Sequence, residues 1–475
     1  MRTAFHTHRF IGISLAVLLC GIALPTQALK PVWRPDEPLT DSSGDARSGY
    51  AFARSVTTDG AGRIHVIWGE SRDGTAHIFY RRSSDKASLW GEDQRLSGMP
   101  GLAAHPSIAA FGSSVFAVWE LAVAGQPTRV FFTRSTNAGS AWAVPIQVAE
   151  GVQPSLAAVG TVVHLTWVSE RKGAPAVYYR RSVDGGLTWE PEQRFTEVSK
   201  ESGTPSIAAS EATTVVAYVN TRDGNTEVYV RRSGDAGQTW ANEERITKNR
   251  MASGPPSVAV TGQTVHLVWA DQKANGGNLG DAERQLDEIM RLIGLSFTSE
   301  SIKKTQANVF DTDAQQARID EKRQRVQAAV PIWNARGGNP LQIGAMLQEV
   351  DHLVAVATRE WDLYYRRSED GGLVWEKEVR LTATPGTSWQ PSVGTSGETT
   401  QLVWIDNRDG APAVYHTASQ DNGRTWGPQT RLTDAPSIAD NPSLSVTSRG
   451  TSIVWSDRRG GRSQVYYKGL MTGEP

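Results

Sequence analysis

The sequence predicts an all-β chain: a seven-bladed β-propeller closed by its N- and C-terminal strands, with one α-helical insertion in the fifth blade. Three observations predict it. The stretch SVDGGLTW at 182–189 has five close relatives elsewhere in the chain, Pro-Ser pairs recur at near-constant spacing, and between these marks apolar and polar residues alternate with period two.

One complete unit is legible at 154–196. PSLAAV and TVVHLTW are alternating strands, SERKGAP turns the chain, AVYYRR returns it, SVDGGLTW turns it again and PEQRFT ends the unit. Four short strands separated by Gly, Asp and Asn turns make a propeller blade, and no helix keeps a two-residue period. The Pro-Ser pairs begin at 106, 154, 205, 256, 391 and 442, at intervals of 48, 51, 51, 135 and 51. The long interval places an insertion in blade five.

The relatives of SVDGGLTW stand at 83–90, 135–142, 233–240, 368–375 and 419–426, and carry Asp85, Asn137, Asp235, Asp370 and Asp421 where 182–189 has Asp184. A role needed in six places at once is structural. A short side chain with a carbonyl or carboxylate oxygen accepts backbone N–H groups within a tight turn, glycine permits positive φ, and the closing Trp packs between blades.

The last unit (442–467) ends after its third strand, and the missing strand stands at the other end. VWRPDEPLTD (32–41) matches TWGPQTRLTD (425–434) and LWGEDQRLSG (89–98), so the N-terminal segment is expected to complete the last blade. Trp33 counted with the six turn tryptophans gives seven blades.

The pattern Ser-x-Asp-x-Gly-x-Thr-Trp resembles the Asp-box, or BNR, repeat of the sialidase superfamily, and it recurs over essentially all of 33–470 outside the insertion. The resemblance implies a propeller in which the box joins the third and fourth strands on the face opposite the binding site. It also raises a sialidase-like glycosidase as an alternative function. Sialidases hold the substrate carboxylate with three arginines, the first in an Arg-Ile-Pro stretch, and no such stretch occurs here. The nearest candidate, Arg54 in FARSV, sits where other blades carry the Pro of Pro-Ser.

The insertion, 274–360, interrupts the propeller between 29–273 and 361–475. Ala282, Leu286, Ile289, Met290 and Ile293 fall on one helical face, as do Ile343, Leu347, Val350, Val354 and Ala357 in a helix begun by Asn339-Pro340. Between them DAQQARIDEKRQRVQAA (313–329) reads as a polar helix. A small helical cap is expected on the face opposite the boxes.

Residues 1–28 stand apart: Arg2 and Arg9, then the apolar run at 11–24, then a small residue at Ala28. This is the pattern of a secretory signal peptide. Cys20, the sole cysteine, lies inside it, so the exported chain is expected to be free of disulfides, as in a bacterial periplasmic or secreted protein. Without Arg2 and Arg9 the chain holds 47 basic and 50 acidic side chains, and no strongly basic run invites nucleic acid or an anionic membrane. A monomeric propeller without cofactor or metal is expected.

Two sets of residues are candidates for binding. At the ends of second strands stand Asp271, Asp406 and Asp457, with Arg72, Arg171, Arg222 and Arg408 among the cations two residues further on. The turns holding them lie on the cap face, where alternating charge around the channel mouth could hold sugars or peptides by hydrogen bonds. Of the 16 tryptophans thirteen occupy repeat positions; Trp333, Trp361 and Trp389 do not. Trp361 and Trp389 are expected on the cap side, as stacking platforms or as anchors for the cap. Glu120 and Glu170 are acids out of step with the repeat. The reading is a binding protein for a glycan or a protein partner over the capped face.

Overall fold

The computed structural model describes residues 32–471 except 41–43, 73–74, 85–88, 172, 197–200, 249–251, 273–278, 296–311, 337–338, 340–341, 345, 348–349, 351–360, 385 and 435–436. Asp85, the 1–28 segment, Val354 and Ala357 therefore lie outside the described residues. Seven antiparallel sheets form the ring, and their innermost strands touch one another in an unbroken circle. The helical insertion leaves the fifth sheet between Thr264–Gln272 and Trp361–Ser368.

The seventh sheet joins the chain ends. Val32 and Trp33 pair with Met471 and Leu470, and Glu37 and Pro38 with Tyr467 and Tyr466. Asp36 lies between these pairs, where Arg459 and Lys468 hold its carboxylate at 2.8 and 2.7 Å. Closure gives the last blade its outer strands, so that Gln464–Met471 is paired on both sides.

The blades interlock through the turn tryptophans. Trp142 meets Tyr80 edge-on at 4.9 Å, Trp189 meets Phe132, Trp240 meets Tyr179 and Trp426 meets Tyr365, each on the third strand of the preceding blade. Trp90 lies on Tyr467, Trp33 on His416, and Trp375 of blade five packs against the aliphatic cluster that contains Val230. The turns before Trp142, Trp189, Trp240, Trp375 and Trp426 are each built on one acceptor. Asp184 accepts Leu187 N at 3.0 Å and Thr188 N at 2.9 Å, with Ser182 Oγ donating to it at 2.7 Å. Asn137, Asp235, Asp370 and Asp421 accept equivalent bonds. Gly186 is needed twice over: its φ is 81°, and a Cβ there would come within 2.3 Å of the Phe132 ring.

His65, His164 and His266 are buried, each with Nδ1 against the tyrosine hydroxyl of its own blade, at 2.6, 2.8 and 2.8 Å. They occupy separate blades, and no group of metal-ligating side chains occurs among the described residues.

In the insertion, α1 (Leu279–Leu292) and α2 (Thr312–Ala335) pack together around Ala282, Leu286, Ile289 and Met290, all buried. The sequence of α2 reads as polar, yet Ile319 and Val326 are buried in the same cluster with Ile343 and Val350. Its charges are absorbed locally: Lys322 bridges Glu283 and Asp287 of α1, at 3.0 and 2.7 Å.

Candidate functional site

Five of the seven blades start the innermost strand with a polar residue before proline. His105, Gln153, Thr204, Gln390 and Asn441 all have positive φ, between 49° and 55°, and a β-bulge follows at each. Left-handed backbone on a non-glycine residue costs about 1–3 kcal/mol and persists only where surroundings impose it. At three of the five positions contacts run from blade to blade. Gln153 N donates to Glu120 Oε2 at 2.8 Å, Thr204 N to Gln153 Oε1 at 2.9 Å, and Asn441 N to Gln390 Oε1 at 2.9 Å. The bulges turn these five residues toward the axis, where all line one cavity of about 870 Å³.

The cavity lies on the face of the second-to-third-strand turns, opposite the box turns, and α1 reaches it with Gly280 and Arg284. Four aromatic residues line its wall: Tyr50, Phe52, Trp361 and Trp389. Tyr50 stacks between Phe52, at 4.8 Å, and the His105 imidazole, at 4.0 Å and 10°. Trp361 and Trp389 are half-buried, each packed on one side against a blade cluster. Arg47, Arg458, Asp45 and Asp440 add charge at the wall. Aromatic faces beside convergent hydrogen-bonding groups form a cavity suited to a polyhydroxylated ligand.

His105 is the one histidine on this wall. Its Nδ1 lies 2.7 Å from Glu120 Oε1. Burial opposes ionisation of Glu120, but the His105 charge and hydrogen bond, with the Gln153 N–H, hold its pKa below the usual carboxylate range. A carboxylate that fixes a histidine ring at a cavity wall is an arrangement able to move a proton.

The charged strand ends stand elsewhere. Asp406 and Asp457 are buried, and each accepts the indole N–H of the tryptophan two residues earlier, at 3.0 and 3.2 Å. Burial pushes both carboxyls upward, but the arginine two residues on holds each below its ordinary value. Arg72, Arg171, Arg222 and Arg408 lie over the third-strand rings of Phe79, Tyr178, Tyr229 and Tyr415, at 4.0, 5.1, 4.1 and 4.5 Å from the centroids. They then reach Asp93, Glu192, Glu243 and Gln429 beside the outermost strand. Among the described residues these four arginines do not line the cavity: cation–π attraction and outer partners hold them over the third strands. Asp271 is buried in blade five, where burial raises its carboxyl to about 7, and Glu170, beside Glu201, is also raised by burial.

Of the candidates named from sequence, Trp361 and Trp389 line the cavity, while the four arginines and Asp271, Asp406 and Asp457 do not. Sequence reasoning missed Tyr50 and the bulge residues. The available signal was the polar residue before five of the six Pro-Ser pairs, at 105, 153, 204, 390 and 441.

No protein-family model matches the chain, and no curated protein matches it. Solved structures do. An ulvan lyase described as a new family of polysaccharide lyase is similar at 9% identity, over 92% of this chain and 95% of that one, with a TM-score of 0.53. A protein of unknown function from Dyadobacter fermentans (11% identity, 92% and 99% covered, TM-score 0.46) and an α-L-arabinanase of Penicillium chrysogenum (12%, 93% and 99%, 0.45) are similar too. At these identities the likeness is one of fold.

Proposed function

We propose that this is an exported glycan-binding propeller whose ligand lies in the cavity between the ring and the helical cap. The observation that carries the reading is the convergence of Trp361, Trp389 and Tyr50 with five inward-turned polar residues from five blades. Indole and phenol faces cover the apolar faces of sugar rings, and the amide, hydroxyl and imidazole groups between them match sugar hydroxyls. The ulvan lyase of like fold acts on a polysaccharide, which supports a carbohydrate ligand. Export rests on the 1–28 segment.

Affinity electrophoresis of the purified protein through a panel of neutral and acidic polysaccharides tests the reading. Retardation by at least one, reversed by its oligosaccharides, is expected; no retardation together with capture of a protein partner by the same face would replace it.

The Glu120–His105 pair favours a second reading, in which the bound glycan is also cleaved with His105 moving the proton. Reducing ends or new chromophores released by the wild type, and lost in His105→Ala with binding retained, would establish it. A fluorogenic sialoside should not be turned over.

A further inference from the structure

One cation of the ring has no role in the contacts described so far. Arg54 stands in blade one where six other blades place a proline, at 106, 154, 205, 256, 391 and 442. Its backbone is clamped on both sides by the innermost strands of its neighbours. Ile108 N of blade two donates to Arg54 O at 2.8 Å, and the next residue, Ser55, donates its N–H to Ser443 Oγ of blade seven at 2.9 Å. Residue 54 is thereby fixed among the innermost strands of the ring, one position on in the repeat from the five bulge residues that line the cavity.

Arg54 is half-buried, and its side chain is packed within the ring closely enough for burial to act on its charge. Among the described residues no side chain makes an ion pair or hydrogen bond with it, and burial alone lowers its pKa, with no neighbouring carboxylate acting against that. Guanidinium does not deprotonate in proteins, so the charge stays. An enclosed charge without a counter-charge is strongly unfavourable, and a planar fork of N–H donors matches an oxyanion.

We propose that Arg54 makes the propeller axis an anion-binding site, taking a small oxyanion as counter-charge. The oxyanion is either a free inorganic ion or an acidic substituent of a ligand in the cavity. The second source rests on the glycan reading; the first does not.

The test is thermal unfolding and equilibrium dialysis of the full chain in low-salt buffer, titrated with sulfate, phosphate or glucuronate. Wild type should show a saturable rise in Tm complete by about 10 mM, with one ion retained per chain, whereas salting effects rise without saturation. Arg54→Gln should lose the saturable phase, and Arg54→Lys should keep it at least tenfold weaker because the fork is gone. A saturable response to inorganic ions identifies a free ion; one confined to glucuronate or acidic oligosaccharides identifies a ligand substituent. A non-saturating rise equal in wild type and Arg54→Lys, with no retained ion, overturns the proposal even if Arg54→Gln fails to fold. Ion retention without any polysaccharide binding would overturn the glycan reading and leave the anion site standing.

Discussion

Glu120 and His105 face each other across one blade, with Oε1 2.7 Å from Nδ1, while the other carboxylate oxygen accepts Gln153 N of the next blade. One side chain thus sets a wall group of the cavity and joins two blades. Glu120→Gln removes the charge and disturbs one of these bonds, so it should lower stability by about 1–3 kcal/mol at pH 7. The difference from wild type should narrow as pH falls through the depressed pKa of Glu120, where the wild-type carboxylate is protonated. Urea unfolding at pH 7 and pH 4 measures both.

Ring closure rests on Trp33 and its strand. Trp33→Ala empties the seventh interblade slot beside His416 and should cost about 3–5 kcal/mol. Deleting residues up to 38 also leaves Tyr466–Met471 as an unpaired edge, and aggregation on heating is expected. Calorimetry with light scattering would show it.

Acid should loosen the ring before it reaches the carboxylates of the turns. Burial depresses the pKa of His164 to about 3 and those of His266 and His416 to about 4. The unfolded chain takes up these protons near pH 6.5 and the folded chain does not, so stability is full above about pH 6.5 and falls toward pH 4. Melting curves from pH 8 to pH 4 should decline in that window, and His164→Gln should flatten the decline.

Asp271 should behave in the opposite sense. Its folded pKa, about 7, lies above the unfolded value, so the folded state holds the proton and stability is lost as pH rises from about 4 through 7. Asp271→Asn removes that loss and should raise stability at pH 8, on the order of 2–4 kcal/mol, with little change at pH 4. Arg408→Ala is the contrast: it strands the buried Asp406 carboxylate and should destabilise at pH 8 by about 3–5 kcal/mol.

The sequence carried the ring, its seven blades, its closure and its cap, because each depends on periodicity and on residue types that recur. The cavity floor was not legible in the same way. His105, Gln153, Thr204, Gln390 and Asn441 share no single side-chain type; what unites them is a left-handed backbone, tied from blade to blade by hydrogen bonds at Gln153, Thr204 and Asn441. The strand-end charges were legible as pairs but not as directions. Asp406 and Arg408 do meet, yet the Tyr415 face and Gln429 decide that the arginine turns outward. Trp361 and Trp389 were visible because they break the repeat, and sites differ from scaffolds where repeats break.

The central claim, a glycan held between ring and cap, is tested most directly by calorimetric titration of the polysaccharide fragment that retards the protein, using wild type, Trp361→Ala and Trp389→Ala. Each substitution should weaken binding by about 1–3 kcal/mol while the melting temperature and the resistance of 279–350 to proteolysis stay close to wild type. Unchanged affinity in both variants, with lowered melting temperature and rapid proteolysis of the cap, would contradict the account and leave the two tryptophans as anchors of the cap.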